Sequence, residues 1–164
     1  MAQKNTVFEQ TLKQKGYWKY TDIYNFAFEW LKDHGYKIKE KKYTEKVSPN
    51  GKEIELEWEA SKKVSDYLKF IISLKWHILG LKDAEIERGG KKESTNKGEL
   101  KIKFESETEK DYEKRWEDNP FWKFLRGIYD KYVIRTTIEE YENRLIKESN
   151  DYVKEIKSFL QMAS

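Results

Sequence analysis

Residues Tyr67 to Leu81, YLKFIISLKWHILGL, form the longest apolar-rich run of the chain and constrain its fold more than any other stretch. Leu68, Phe70, Ile72, Leu74, Trp76 and Ile78 recur at every second position, with Lys69, Ser73, Lys75 and His77 between them. Alternation of β-branched and aromatic types predicts one long strand with a buried face. An apolar strand left at a sheet edge would template aggregation, so this one is expected at the centre.

The neighbouring segments supply partners for it. Asn50-Gly51 is a favoured two-residue hairpin turn. With that pair at the tip, Val47 is expected opposite Ile54 and Tyr43 opposite Trp58. The other face then pairs Lys46 with Glu55 and Lys42 with Glu59. Lys52 to Ala60 alternates Glu53, Glu55, Glu57 and Glu59 with Ile54, Leu56 and Trp58, so one face is wet and one packed. Ser61 to Asp66 reads as a polar connector. Beyond Gly80, Ala84 to Arg88 is expected to return as a further strand and Gly89-Gly90 to turn. Lys91 to Thr95 continues the ladder, and Asn96-Lys97-Gly98 reads as a bulge or turn. Leu100, Ile102 and Phe104 mark the last strand, and Thr6 to Lys15, with Val7, Phe8 and Leu12, offers a short first one.

Helical periodicity appears in three places. Thr21 is expected to cap a helix running to His34, with Ile23, Phe26, Ala27, Trp30 and Leu31 on its buried face and Gly35 as the stop. Glu107 to Asp118 is charged and helix-compatible. Asn119 and Pro120 then open a helix striped by Phe121, Phe124, Leu125, Ile128 and Tyr132. Thr137 to Gln161 carries Ile138, Tyr141, Leu145, Ser149, Val153, Ile156 and Leu160 at helical spacing, and at roughly 25 residues would be about 37 Å long. The fold class is therefore a single α+β domain over residues 1–164. An antiparallel meander of five or six strands is packed on one face by an N-terminal helix and long C-terminal helices.

That element order resembles the helix-grip arrangement of START-like domains, in which a sheet wraps a terminal helix. The resemblance implies an apolar cavity between sheet and C-terminal helix. KVSDYLKF (Lys63 to Phe70) and NPFWKFLRGIYDKYVI (Asn119 to Ile134) are similar to blocks of archaeal proteins of unknown function, and imply no activity.

Composition excludes more than it identifies. Charged residues make up 38% and aromatics 15%, so the chain has rings enough to fold rather than remain disordered. Lys and Arg total 33 against 30 Asp and Glu, giving a net charge of +3 with the signs interleaved. Only Arg88, Arg115, Arg126, Arg135 and Arg144 could bind phosphate bidentately. Cysteine is absent, which excludes disulfides and thiolate chemistry. Abundant Lys and Glu fit a hot habitat or an AT-rich genome. No signal-peptide core and no membrane-length apolar run is present, so a cytoplasmic location is expected.

Candidate sites each have a plainer reading. Trp122, Arg126, Tyr129 and Val133 fall at i, i+4, i+7 and i+11, where a guanidinium between rings could stack on a partner; the plainer reading is that they widen a buried face. His77 is a candidate cleft residue, and otherwise a hydrogen-bonded surface histidine. His34 suits a helix C-terminus. Glu105, Glu107, Glu109, Asp111, Glu113, Glu117 and Asp118 lack calcium-loop spacing and read as a solvated face. No catalytic residue, metal ligand set or cofactor is expected, since no phosphate loop, nucleophile elbow or zincin motif is present. The expected function is a non-enzymatic binding or assembly protein, homo-oligomeric or with a protein partner, because 6 Trp, 11 Tyr and 8 Phe exceed ordinary core needs. A carrier of an apolar ligand or lipid is the alternative. A nucleic-acid or ribosome-associated protein ranks third, since the lysines are expected to face glutamates.

Overall fold

A computed structural model of the chain describes residues 3–65, 67–110, 120–121, 124, 128 and 135–163. Among the described residues the elements with assigned bounds are, in order, β1 (Gln3–Tyr17), α1 (Tyr20–Asp33), β2 (Lys37–Ser48), β3 (Gly51–Lys63), β4 (Leu68–Arg88), β5 (Lys91–Lys110) and α2 (Arg135–Ala163). The strands form one antiparallel sheet in the order β1-β5-β4-β3-β2. Four of them make the meander, and β1 joins by pairing with the last strand. The apolar run is central, as its alternation predicts. Leu68, Phe70, Ile72, Leu74, Trp76 and Ile78 are all buried on the face that carries the helices.

That face packs into one layer of rings. Trp58 and Trp76 lie 5.2 Å apart between centroids, with Tyr24 and Phe28 of α1 edge-on to Trp58. Phe26 stacks on Phe159 at 4.5 Å, joining the two helices. Tyr152 of α2 stacks on Trp30 at 4.3 Å, meets Phe104 edge-on, and donates its hydroxyl to the Ala27 carbonyl at 2.8 Å. Ile138, Leu145, Ser149, Val153, Ile156 and Leu160 are buried along α2, matching the sequence stripe.

Several expectations are corrected. Gly80 does not reverse the chain: β4 runs on through it to Arg88, so the sheet has five strands and its tip turn is Gly89-Gly90. β5 continues past Ser106 to Lys110, because Ser106 and Thr108 keep the inward alternation as small polar residues; Ser106 Oγ meets Ser149 Oγ at 2.6 Å. In the β2–β3 hairpin Ser48 pairs with Gly51, so Pro49-Asn50 makes the bend. Proline's fixed φ suits the first central position of an ordinary turn and excludes the primed one that Asn-Gly would form. The register therefore slips by two: Tyr43 faces Leu56, Val47 faces Lys52 and Lys42 faces Glu57. A slip of two keeps every side chain on its expected face. Thr21 is not the cap of α1. Lys19 holds that position without a side-chain bond, and the Tyr20 N–H donates instead to Asn96 Oδ1 at 2.9 Å.

Of the C-terminal helices expected, α2 is the one assigned. Pro120, Phe121, Phe124 and Ile128 are helical, but the last three are exposed rather than packed as the stripe had predicted. Asp66, residues 111–119 and the rest of the 120–134 stretch, including Leu125 and Tyr132, lie outside the described residues.

A row of glycines crosses four strands. Gly16 pairs with Gly98, the β4–β5 register shifts between Leu79 and Lys82, and the β3–β4 register shifts between Lys52 and Ile54. Bulges that share one transverse line bend a sheet there. The approach is closest at Gly51, where an added Cβ would stand 2.6 Å from the Gly80 carbonyl carbon. Beyond this line the β4–β5 tip returns to the helices, and Arg88 Nη2 donates to the Met162 carbonyl at the end of α2 at 3.0 Å. A cation is favoured at such a terminus.

Candidate functional site

The opposite face of the sheet is polar, and its charges fall in columns. Strand alternation puts Glu53, Glu55, Glu57 and Glu59 of β3 on that face, all half-buried. On β4 the same face carries Ser73, Lys75, His77 and Leu79; on β5, Glu99, Lys101, Lys103 and Glu105; on β1, Lys13 and Lys15. Register then sets the neighbours. Lys13 lies opposite Lys101, and Lys75 lies opposite Lys103. Like charges directly across a ladder are destabilising. All four ammoniums are exposed, and none makes an ion pair among the described residues.

The glutamate column is treated differently. Lys42 of β2 bonds Glu55 at 2.7 Å and Lys41, at the β2 bulge, reaches Glu59 at 3.4 Å. The Lys42 bond holds the Glu55 carboxyl below its ordinary range. His77 Nε2 is 3.0 Å from Glu53 Oε1. Three of the four carboxylates are thus matched from within the sheet. The fourth, Glu57, lies across the ladder from Lys75 without an ion pair among the described residues, and Lys13, Lys101 and Lys103 face no carboxylate on the neighbouring strands.

Open clefts run over these residues. One of about 350 Å³ is lined by Lys42, Glu55, Glu57, Lys75, Trp76, His77, Lys101 and Lys103. Another of about 270 Å³ shares His77 and Lys101 with it and adds Lys13, Gln14, Lys15, Leu79, Glu99 and Leu100. A third, about 550 Å³, shares Lys15, Leu79 and Glu99 with the second, crosses the glycine row, and brings in Lys82 and Lys97. From Lys97 to Lys103 the track is about 20 Å long at the rise of a strand. Leu79 is its exposed apolar residue, and Tyr17 lies at its end with Lys97 Nζ 5.5 Å from the ring centre.

The other end of the face is closed and acidic. Ile71 is buried, and burial raises the Glu107 carboxyl above its ordinary range, with Glu105, Glu59 and Glu109 adding to the effect against Lys4. A raised carboxylate destabilises the fold only when ionised. Glu107→Gln is therefore expected to stabilise the protein slightly at neutral pH, by no more than a few tenths of a kcal/mol once solvent screening of this half-exposed group is allowed for. The gain should fade as pH falls through the Glu107 pKa toward the unfolded value, where both forms are neutral; urea melts at pH 7 and pH 3.5 measure it.

The sequence-level candidates fare unequally. Trp122, Arg126, Tyr129 and Val133 lie outside the described residues. His77 sits on the open face as a hydrogen-bonded histidine, among groups that sequence spacing did not join to it. His34 terminates α1, its ring stacked on Trp30 and its Nδ1 2.7 Å from the Trp30 carbonyl. Glu105 lies on β5 as its alternation predicts, and Glu107 and Glu109 lie on β5 rather than on a helix; Glu109 is 3.8 Å from Lys69. Sequence reading missed the lysine quartet because its members come from three strands. The expected facing of lysines by glutamates holds between β2 and β3, and also at Lys15–Glu99 and Lys69–Glu109, but not at Lys13–Lys101 or Lys75–Lys103.

Compared with known proteins, the chain matches no family, no curated sequence and no solved structure. No helix among the described residues is long and apolar enough to cross a membrane.

Proposed function

We propose that the chain is a non-enzymatic binding protein whose open sheet face takes a polyanionic strand, a phosphodiester backbone being the chemistry that fits. One observation carries this: four unpaired lysines set opposite one another, at a cost in stability that an anion would relieve. Lysine is a point charge rather than a fork, and the track exposes few rings, so binding follows the backbone and not the base sequence. The apolar-carrier reading has less support, because Tyr152, Trp30, Phe104 and Ser149 fill the layer between sheet and α2. The assembly reading keeps a specific observation in its favour. Phe121, Phe124 and Ile128 are 61%, 66% and 37% exposed at helical spacing.

The test is titration of a single-stranded oligothymidylate over a salt series. The native protein should bind with a steep salt dependence. Changing Lys13, Lys75, Lys101 and Lys103 together to glutamine should flatten the log–log slope by about 3, at roughly 0.7 per phosphate contact. Affinity at low salt should fall at least about 100-fold, while the variant stays folded because repulsion has been removed. Equal changes at Lys39 and Lys46 of β2 should leave the slope unaltered. Native protein that does not bind, or a quartet variant with an unchanged slope, overturns the proposal.

A further inference from the structure

We infer that Glu53, Glu55 and His77 form a binding site for a divalent transition ion of the zinc type on the open face. The three donors come from adjacent strands. Glu55 and His77 are direct cross-strand partners, and Glu53 sits in the β3 register shift between Lys52 and Ile54. A bulge re-aims the side chain it carries, and here Glu53 Oε1 is brought to 3.0 Å from His77 Nε2. One ligand atom from each residue lies within 4.8 Å of the other two. Ions held at 2.0–2.2 Å by nitrogen and oxygen keep their ligands about 3.3 Å apart. The Glu53–His77 separation is already close to that, and Glu55 needs only a rotation.

The chemistry of the set agrees with its geometry. An imidazole with two carboxylates suits zinc and its first-row neighbours better than calcium or magnesium, which take oxygen alone. Side-chain exposure of 40% for His77 and 41% for Glu53 leaves an entry path and a position for water. The competitor is Lys42, bound to Glu55 at 2.7 Å, and an exposed ion pair of that kind contributes little. Lys101, opposite His77 on the other side, opposes a further cation and limits the affinity. Sequence spacing could not announce the set, since 24 positions separate His77 from Glu53.

Titrating zinc chloride into the full chain by calorimetry, with cobalt(II) absorption as a second readout, tests the site. One equivalent of moderate affinity is expected, with a cobalt spectrum shifted from that of the aqueous ion. His77→Asn and Glu53→Gln should each weaken zinc at least tenfold, and His34→Asn should not. Lys42→Gln should tighten it severalfold, a gain that misfolding cannot imitate. Zinc binding that His77→Asn and Lys42→Gln both leave unchanged, or no binding by the native chain, overturns the inference. Oligothymidylate binding at the lysine quartet is read separately, so either idea can fail alone.

Discussion

Tyr152→Ala is expected to cost about 4 kcal/mol of folding stability, the range for emptying a large aromatic from a core. Its ring is fully buried, and three elements meet on it: Trp30 from α1, Phe104 from β5 and its own helix. No neighbour can close that space without moving a helix off the sheet. Tyr152→Phe keeps the ring and loses the hydroxyl bond to the Ala27 carbonyl, so about 1 kcal/mol is expected. Burial raises the phenol well above its ordinary pKa, so neither variant should acquire a new pH dependence in the alkaline range up to 10. In a thermal melt the alanine variant should fall by about 8–16 °C and the phenylalanine variant by a quarter of that. Similar losses for the two would show that the ring is not what holds α2 down.

Gly51→Ala should cost about 3 kcal/mol, an unusual amount for one methyl beside an exposed turn. Two effects add. Its φ of +114° is one that a side chain strains by about 1–3 kcal/mol. The new Cβ would also meet the Gly80 backbone at 2.6 Å, and backbone cannot rotate away as a side chain would. Gly89→Asn supplies the contrast. Its φ of +54° is one asparagine tolerates, and nothing lies within 4 Å of an added Cβ, so a change under about 1 kcal/mol is expected. Urea unfolding of the two variants beside the native chain measures both. Equal midpoints would mean that the glycine row is not under constraint.

The parts of this fold legible in the sequence are those in which one local period decides the outcome. Alternation in Tyr67–Leu81 identified the central strand, and helical spacing from Ile138 to Leu160 identified the face of α2. What failed depended on a second chain segment. Gly80 looked like a reversal because its meaning is set by Gly51 and Gly98 across the ladder. The cap of α1 comes from Asn96, 76 residues away, and Tyr152 escaped the stripe of α2 because its place is set by Trp30 and Phe104. In the β2–β3 hairpin the Asn-Gly signal was read without the proline before it. The candidate site was the least legible part. Each lysine of the quartet is unremarkable on its own strand, and only the β1–β5 and β4–β5 registers turn four of them into a patch.

The pairing of β1 with β5 has a consequence for how the molecule is made. Gln3–Tyr17 finds its partner at Lys97–Lys110, so the opening segment has no ladder to join until some ninety later residues exist. Closing so long a loop is slow, because its entropy is lost before any contact compensates. Strands two to five can zip up one after another from their short turns. On a ribosome the N-terminal ribbon is therefore the last piece of the sheet to be stitched in, and until then it is the part most open to a chaperone or a protease.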